Sequence, residues 1–501
     1  MKSGNKTILL ISMLVMLICC VSAVSATDAD NITVPDDTDV IEIDDTVDSV
    51  EEVESDGIDD TVDGVNTQQN LRGANINGNP VSIYFGNDGV LLSTAGNTLT
   101  FGGDFYKANY NYKNFIINRA VTINANTTDA PTLHDMGFEL IANGITLNGI
   151  TFDMTAPSGE SCYLIDIESA NNVNVTNNKI TYVCDVTNED YYNYVIKVRD
   201  SENVTLYNNT ITATLPLKDV DYSHWTPEPT IDYDLVSVVA VESCYRFKFV
   251  NNTVNVTINN RTGDYPTLSS ILIVKSNNAS LIGNKISVQD MVTGEEEANF
   301  LYAIDIYKCY NLTIDHNKID INSNSGNLTI NGTGAAYGIQ LTGPHTGVMI
   351  SYNNITTANN GPNLGIYSQN TIGETNLTIK GNIINVTGRA GYHPWALVSG
   401  MELQDTYATV CGNTIDVTNV EGATGGYIYG ISYCQPTGGD HTYIICNNTV
   451  RVPDGEYAVY LDGVIDTVVT NNWLYSALDH GDGAVEVIGT NITDTGNFPY
   501  P

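Results

Sequence analysis

From about residue 71 to its end, the chain repeats one short phrase: a β-forming run, an asparagine at a bend, and a second β-forming run. It reads Val173-Asn174-Val175-Thr176-Asn177-Asn178-Lys179-Ile180, and again Val204-Thr205-Leu206-Tyr207-Asn208-Asn209-Thr210-Ile211. Further copies are Leu312-Thr313-Ile314-Asp315-His316-Asn317-Lys318-Ile319 and Leu377-Thr378-Ile379-Lys380-Gly381-Asn382-Ile383-Ile384. The bend asparagines are Asn178, Asn209, Asn252, Asn284, Asn317, Asn353, Asn382, Asn413, Asn448 and Asn472. Most recur at intervals of roughly 30 residues, the mark of a stacked repeat. Looser copies sit at 143–152 and 115–125.

The phrase dictates its own geometry. Positions three and five before the bend are apolar, as in Val175 and Val173 or Ile350 and Val348. Positions two and four after it are apolar too, as in Ile319 and Ile321 or Ile415 and Val417. Alternation with period two on both sides means two strands, each burying one face. The phase slips between them, so the chain must turn at the bend. The residue before the bend asparagine is mostly Asn or Gly, the types that tolerate the left-handed region. A third apolar strand lies upstream in each copy, for example Leu164–Ile167, Tyr194–Val198, Ala303–Ile306 and Gly400–Leu403.

Three short strands per turn, without helical periodicity, predict an all-β, right-handed parallel β-helix of about 12 turns. Like asparagines would stack about 4.8 Å apart and exchange amide hydrogen bonds. A β-sandwich would not carry the same bend in the same phase so many times.

The amino terminus differs. Lys2 and Lys6 precede an apolar run from Ile8 to about Val21, and Val24-Ser25-Ala26 supplies a small-residue exit, so residues 1–26 read as a signal peptide. No later stretch has the length and apolarity of a membrane span. Residues 27–72 form an acidic stalk, with pairs such as Asp36-Asp37, Asp44-Asp45 and Glu51-Glu52 and few aromatics. Self-repulsion there predicts an extended spacer. Residues 73–501 form the β-helix domain.

The ladder, stalk and signal peptide together resemble the right-handed β-helix adhesin-like surface proteins of methanogenic archaea. Single turns also resemble the wider parallel β-helix repeat, or pectin-lyase-like, superfamily, which includes pectin-degrading enzymes, alginate epimerases and a periplasmic copper-maturation family. The resemblance implies a secreted or cell-wall protein that binds a glycan or a surface protein. The alternative it implies is a polysaccharide lyase or glycoside hydrolase. The shared motif is the stacking motif, so it specifies fold rather than activity.

Catalytic sets of that superfamily are missing. Outside the stalk there is no Asn-x-Asp with Asp-Asp, Gly-His-Gly and Arg-x-Lys. His345 in Gly343-Pro344-His345-Thr346 and His393 in Tyr392-His393-Pro394-Trp395 lack the flanking acids of the epimerase motif. Asp166 and Glu168 fall at the same repeat positions as Lys197 and Arg199, which predicts cross-strand ion pairs. The expectation is therefore no enzyme, no cofactor and no metal. Scattered histidines give no zinc or copper spacing, and Asp479, His480, Asp482 and Glu486 read as an acidic edge. Cys411 and Cys446 share a repeat position and either bridge or stack.

Insertions fall mostly at one point of the repeat: 186–193, 215–234, 257–268, 289–299, 322–334 and 388–394. In a solenoid such insertions line one flank. Tyr191, Tyr192, Tyr222, Trp225, Tyr233, Tyr265, Tyr392 and Trp395 lie there and are the candidate binding residues. Rings of this kind suit sugar faces and protein partners alike.

The formal net charge is −38. About −24 of it belongs to the repeat region, spread rather than concentrated. Nucleic acid is excluded as a partner, since phosphate contact needs a basic face. Many Asn-x-Ser/Thr sequons follow the signal peptide. The chain ends at Asn497-Phe498-Pro499-Tyr500-Pro501 without an evident polar cap. Either residues 485–501 cap the solenoid irregularly, or a partner chain covers that end.

Overall fold

The computed structural model describes residues 73–500, except 157–161, 185–192, 220–235, 262–265, 293–299, 324–334, 371–375, 391–396, 406, 421–426 and 434–440. These residues wind into a right-handed parallel β-helix, the sense that parallel crossovers take. Strands before each bend form a first sheet, among them Asn174–Thr176, Thr205–Tyr207 and Lys248–Val250. Strands after the bend, such as Lys179–Val183 and Lys318–Ser323, form a second. Upstream strands such as Cys162–Glu168, Asn193–Arg199 and Phe300–Tyr307 form the third. The first sheet has 14 strands. Pairing is parallel and in register from turn to turn, as in Ile180 against Ile211 and Ile211 against Val254.

One apolar core runs the length of the stack. Alternation puts every second side chain inside, so Ile165, Ile196, Val239, Ile271, Ile304, Ile339 and Ile366 line up as a single inner column. Each such burial contributes roughly 1.5–3 kcal/mol. The amino-terminal end is filled by phenylalanines, Phe101 stacking on Phe105 at 5.1 Å and Phe115 tilted against Phe138 at 5.4 Å. Another inner column of the third sheet narrows along the chain: Leu164, Val195, Val238, Ser270 and Ala303, then Gly338, Gly365, Gly400 and Gly430. A Cβ on Gly365 would meet the Gly400 carbonyl oxygen at 2.6 Å and Ile384 at 2.4 Å. Only glycine lets the backbones approach so closely.

The bend asparagines form the expected ladder. Asn284 donates from Nδ2 to Asn317 Oδ1 at 2.8 Å, and Asn317 to Asn353 at 2.9 Å. The same oxygen accepts the backbone N–H of the rung below, as from Asn317 N to Asn353 Oδ1 at 2.9 Å. The second amide hydrogen goes to a carbonyl of the preceding turn, Leu281 for Asn317. All four polar demands of a buried amide are thereby met, which is why it is tolerated in the core. The residue before each rung has positive φ: 56° at Asn177, 53° at Asn208 and at His316, and 52° at Tyr352. Tyr352, a costly residue for that region, stays largely exposed and packs its ring 5.2 Å from His316.

Three features differ from the sequence reading. The ladder gains an eleventh rung, Asn497, which accepts from Asn472 Nδ2 at 2.9 Å. Residues 485–501 are not an irregular cap, because Val485–Thr490 and Phe498–Pro499 are regular strands of one more turn. The cap comes from Asp482. Its Oδ1 accepts from both Asn497 N and Nδ2, at 2.8 and 3.0 Å, standing where the next asparagine oxygen would be. Thirdly, two expected insertions begin as strand. Thr210–Asp219 and Thr253–Arg261 run past their expected ends. Lys218 and Asp219 then pair antiparallel with Thr267 and Pro266, giving the overhanging backbone its hydrogen bonds.

Cys411 and Cys446 form a disulfide between adjacent first-sheet strands, with Cα atoms 4.8 Å apart. Among the described residues, no helix is long and apolar enough to cross a membrane.

Candidate functional site: the outer face of the third sheet

All eight rings singled out from the sequence, Tyr191, Tyr192, Tyr222, Trp225, Tyr233, Tyr265, Tyr392 and Trp395, lie outside the described residues. The segments that carry them each connect a second-sheet strand to a third-sheet strand. What the structure does describe is the sheet they lead into, and its outer face is unlike the other two.

Parallel register sorts that face into rows. One row reads Tyr163, Tyr194, Ser237, Ser269, Tyr302, Tyr337, Leu364, Ser399, Tyr429, Tyr457. The next reads Asp166, Lys197, Ala240, Leu272, Asp305, Gln340, Tyr367, Glu402, Ser432, Tyr460. Side chains here pack into two apolar clusters separate from the interior. One centres on Tyr194, Ala240, Leu272 and Val274, the other on Ala335, Leu364, Leu397 and Tyr429. Rings stack along the row because parallel strands repeat identical positions: Tyr302 on Tyr337 at 4.9 Å and 22°, and Tyr163 on Tyr194 at 5.8 Å and 10°. Tyr429 and Tyr460 stack across rows at 5.0 Å.

Three polar stations interrupt the rings. At the first, Lys197 lies 3.5 Å from both Asp166 and Glu168 and 4.8 Å from the Tyr163 ring centroid. Arg199 meets Glu242 at 3.1 Å. Burial raises the Asp166 carboxyl even though Lys197 draws it down. These acids and bases are bound to one another, as the register predicts.

At the second, Asp305 is half-buried beside the Tyr302–Tyr337 stack. It accepts from Ser269 Oγ at 3.1 Å and from Gln340 Nε2 at 3.4 Å. With no cation opposite among these contacts, burial pushes its carboxyl up to about 6.

At the third, Glu402 is buried and accepts from Ser432 Oγ at 2.5 Å and from Gln404 Nε2 at 3.4 Å. Nearby Tyr367 and Tyr433 have hydroxyls raised by burial and by the Glu402 charge.

Asp305 and Glu402 stand three rungs apart in one row, or about 14 Å at the strand spacing. Paired glycosidase carboxylates lie roughly 5–10 Å apart. The two acids therefore do not make a hydrolytic pair. Nothing in the repeat phrase signals Asp305 or Glu402. They are recognisable only once register sets them among stacked rings.

His345 is not a surface group. It lies inside the opposite corner with Nε2 2.8 Å from Asp405 Oδ1 and 3.1 Å from Ser368 Oγ, and Nδ1 2.8 Å from the Gly343 carbonyl. Ser, His and Asp are brought together, but serine and carboxylate share one ring nitrogen and all three are buried. A nucleophilic triad needs them on opposite nitrogens with the hydroxyl accessible. The trio instead belongs to a second inner polar column with Ser201, Ser276, Asn370 and Thr467. His393 lies outside the described residues. Among the described residues, no group of three His, Cys, Asp or Glu is placed to hold a metal ion.

The structure and this face define a right-handed parallel β-helix protein. No family model matches the chain, and no curated protein matches it. Among solved structures it is similar to the Dettilon tailspike protein gp208, at 15% identity and a TM-score of 0.39, covering 74% of this chain and 62% of that one. It is also similar to a mutant tailspike of E. coli bacteriophage HK620 in complex with a pentasaccharide, at 11% identity and TM-score 0.36, covering 81% and 71%. A third is a mutant of the periplasmic alginate epimerase AlgG, at 10% identity and TM-score 0.30, covering 79% and 84%. The chain thus spans less than two thirds of the length of the Dettilon tailspike.

Proposed function

We propose that this chain is an exported, adhesin-like surface protein that binds a glycan chain along the outer face of its third sheet. The observation that carries the reading is the Tyr302–Tyr337 stack beside Asp305, Gln340 and Ser269. Rings stacked face to face offer their edges and hydroxyls to a ligand, and flanking carboxylate, amide and hydroxyl groups exchange hydrogen bonds with sugar hydroxyls. The rows repeat at the strand spacing, so an extended polymer meets similar groups over several turns. Candidate residues Tyr191, Tyr192, Tyr222, Trp225, Tyr233, Tyr265, Tyr392 and Trp395 sit in segments that enter this same sheet and would extend the platform. The signal peptide at 1–26 and the acidic stalk at 27–72 fit secretion and display at a cell surface or wall, with a surface protein as the other class of partner.

A glycan-array screen tests the reading. Wild type is expected to bind a restricted set of polysaccharide fragments. Tyr337→Ala, Asp305→Asn, Trp225→Ala and Trp395→Ala are each expected to weaken binding about tenfold or more, as loss of a stacking or hydrogen-bonded contact does. Equal binding by all four variants would overturn it.

One observation favours a second reading, a polysaccharide lyase or hydrolase. Asp305, with its carboxyl at about 6, is suited to a general acid near neutral pH. Incubation with pectin, alginate and host glycans, followed by analysis for new reducing ends or unsaturated products, separates the two. Turnover lost in Asp305→Asn would establish the enzyme.

A further inference from the structure

We infer that the chain carries N-linked glycans on its first and second sheets and their corners, leaving the third sheet unglycosylated as the contact face. The inference rests on the reading of an exported protein whose third sheet meets the ligand.

The sequons of the repeat are sorted by face. In an extended strand residues i and i+2 point the same way, so an Asn-x-Thr triplet on an outer row presents both amide and hydroxyl to solvent. Asn174 and Asn376 do this from the first sheet and the turn before it, and Asn255, Asn354 and Asn385 from the second. At the bend, Asn208, Asn251 and Asn447 occupy the left-handed position just before a ladder rung and are exposed. At the opposite corner, Asn203, Asn278 and Asn311 also take positive φ, Asn311 exposed and the other two half-buried.

The buried ladder asparagines are exempt. Position two after each is an inward apolar residue, such as Ile211 after Asn209 or Ile319 after Asn317, so none heads a sequon. The described third-sheet strands contain no sequon at all, although Asn193 and Asn363 occur in them. Asn260 is the penultimate residue of a second-sheet strand, and Asn327 and Asn331 lie outside the described residues.

The chemistry needs a lipid phosphate- or diphosphate-linked oligosaccharide as donor. The asparagine Nδ2 forms a bond to sugar C1 and the C1–O bond to phosphate breaks. The lipid phosphate leaves as an anion, and the amide gives up one of its two protons. The proton that remains preserves the existing rung contacts, Asn203 Nδ2 to Asn172 Oδ1 and Asn208 Nδ2 to Asn177 Oδ1, both 2.8 Å. A glycan at these corners therefore does not cost the fold a hydrogen bond.

The test uses the full chain purified from the organism that encodes it. Peptide N-glycosidase in heavy-oxygen water converts each occupied asparagine to a mass-tagged aspartate, and peptide mass spectrometry reads the positions. Tags are expected at sites among Asn174, Asn208, Asn251, Asn354, Asn385 and Asn447. An untagged digest overturns the proposal, as does a digest tagged only at Asn327 or Asn331 on the approach to the third sheet. Glycan-array binding by the deglycosylated chain reports separately on ligand recognition. Loss of binding in Tyr337→Ala with tags present supports both readings, and tags with no array binding remove the ligand reading alone.

Discussion

The bend corner and the outer face of the third sheet belong to the same turns, yet they obey opposite rules. At the corner every rung repeats its neighbour, and each amide is satisfied by the rung above and the turn below. On the outer face each turn differs from the next, so carboxylates, amides and rings meet partners of other kinds, and Asp305 accepts from a serine hydroxyl and a glutamine amide. Regularity serves stability. Departure from it is where recognition has room, because only a non-repeating surface distinguishes one position of a ligand from another.

Breaking the ladder gives the largest effect. Asn317→Ala removes one acceptor and two donors from a buried corner and strands Asn284, Asn353 and Leu281. Chemical denaturation is expected to show a loss of about 4 kcal/mol, from several unsatisfied groups at roughly 1–3 kcal/mol each. Replacing Cys411 and Cys446 by Ser opens a 35-residue loop and is expected to cost about 3 kcal/mol, read in the same way against the oxidised wild type. Asp482→Ala uncaps Asn497 and should cost about 1–2 kcal/mol. Hydrogen exchange is the sharper measurement, with faster exchange at Asn497 and unchanged rates at Asn317.

The outer face should respond differently. The Asp305 carboxyl titrates at about 6, against about 3.9 in an unfolded chain. The folded state therefore holds the proton more tightly between those values, and stability falls as pH rises through that window. Asp305→Asn removes this slope. It should gain on the order of 1–3 kcal/mol at pH 7 and nothing at pH 4, at about 1.4 kcal/mol for each pH unit between the two titration points. Smallest of all, Tyr337→Leu keeps apolar bulk but loses the ring contacts to Tyr302 and Tyr367, so it should cost about 0.5–1 kcal/mol while weakening glycan binding. A stability loss as large as that of Asn317→Ala would show that the tyrosine row is scaffold and would erase the contrast.

The division explains what the sequence could disclose. Strand positions, inward columns and the bend asparagines were legible because each is repeated, and repetition turns a weak local preference into a pattern. Asn497 escaped because its phrase, Gly496-Asn497-Phe498-Pro499, lacks the apolar alternation after the bend. Asp482 escaped because a cap occurs once, and its contact to Asn497 spans a turn. Asp305 and Glu402 escaped for the same reason: their meaning comes from Tyr302, Tyr337 and Ser432 on the same or neighbouring rungs, a relation of register rather than of local sequence. His345 lacks flanking acids in the sequence, yet the corner turns it inward to Asp405, a residue two turns away.

The narrowing inner column of the third sheet sets a rule for how such a chain can lengthen. A turn bearing Gly365 has a backbone seated too close to its neighbour for the Leu164 or Val195 of earlier turns. A duplicated turn would fit only beside its own kind, glycine turns among glycine turns and branched turns among branched ones. The molecule thus carries an internal gauge, and copies spliced across the boundary near Ala303 and Gly338 would have to shift backbone or leave a void.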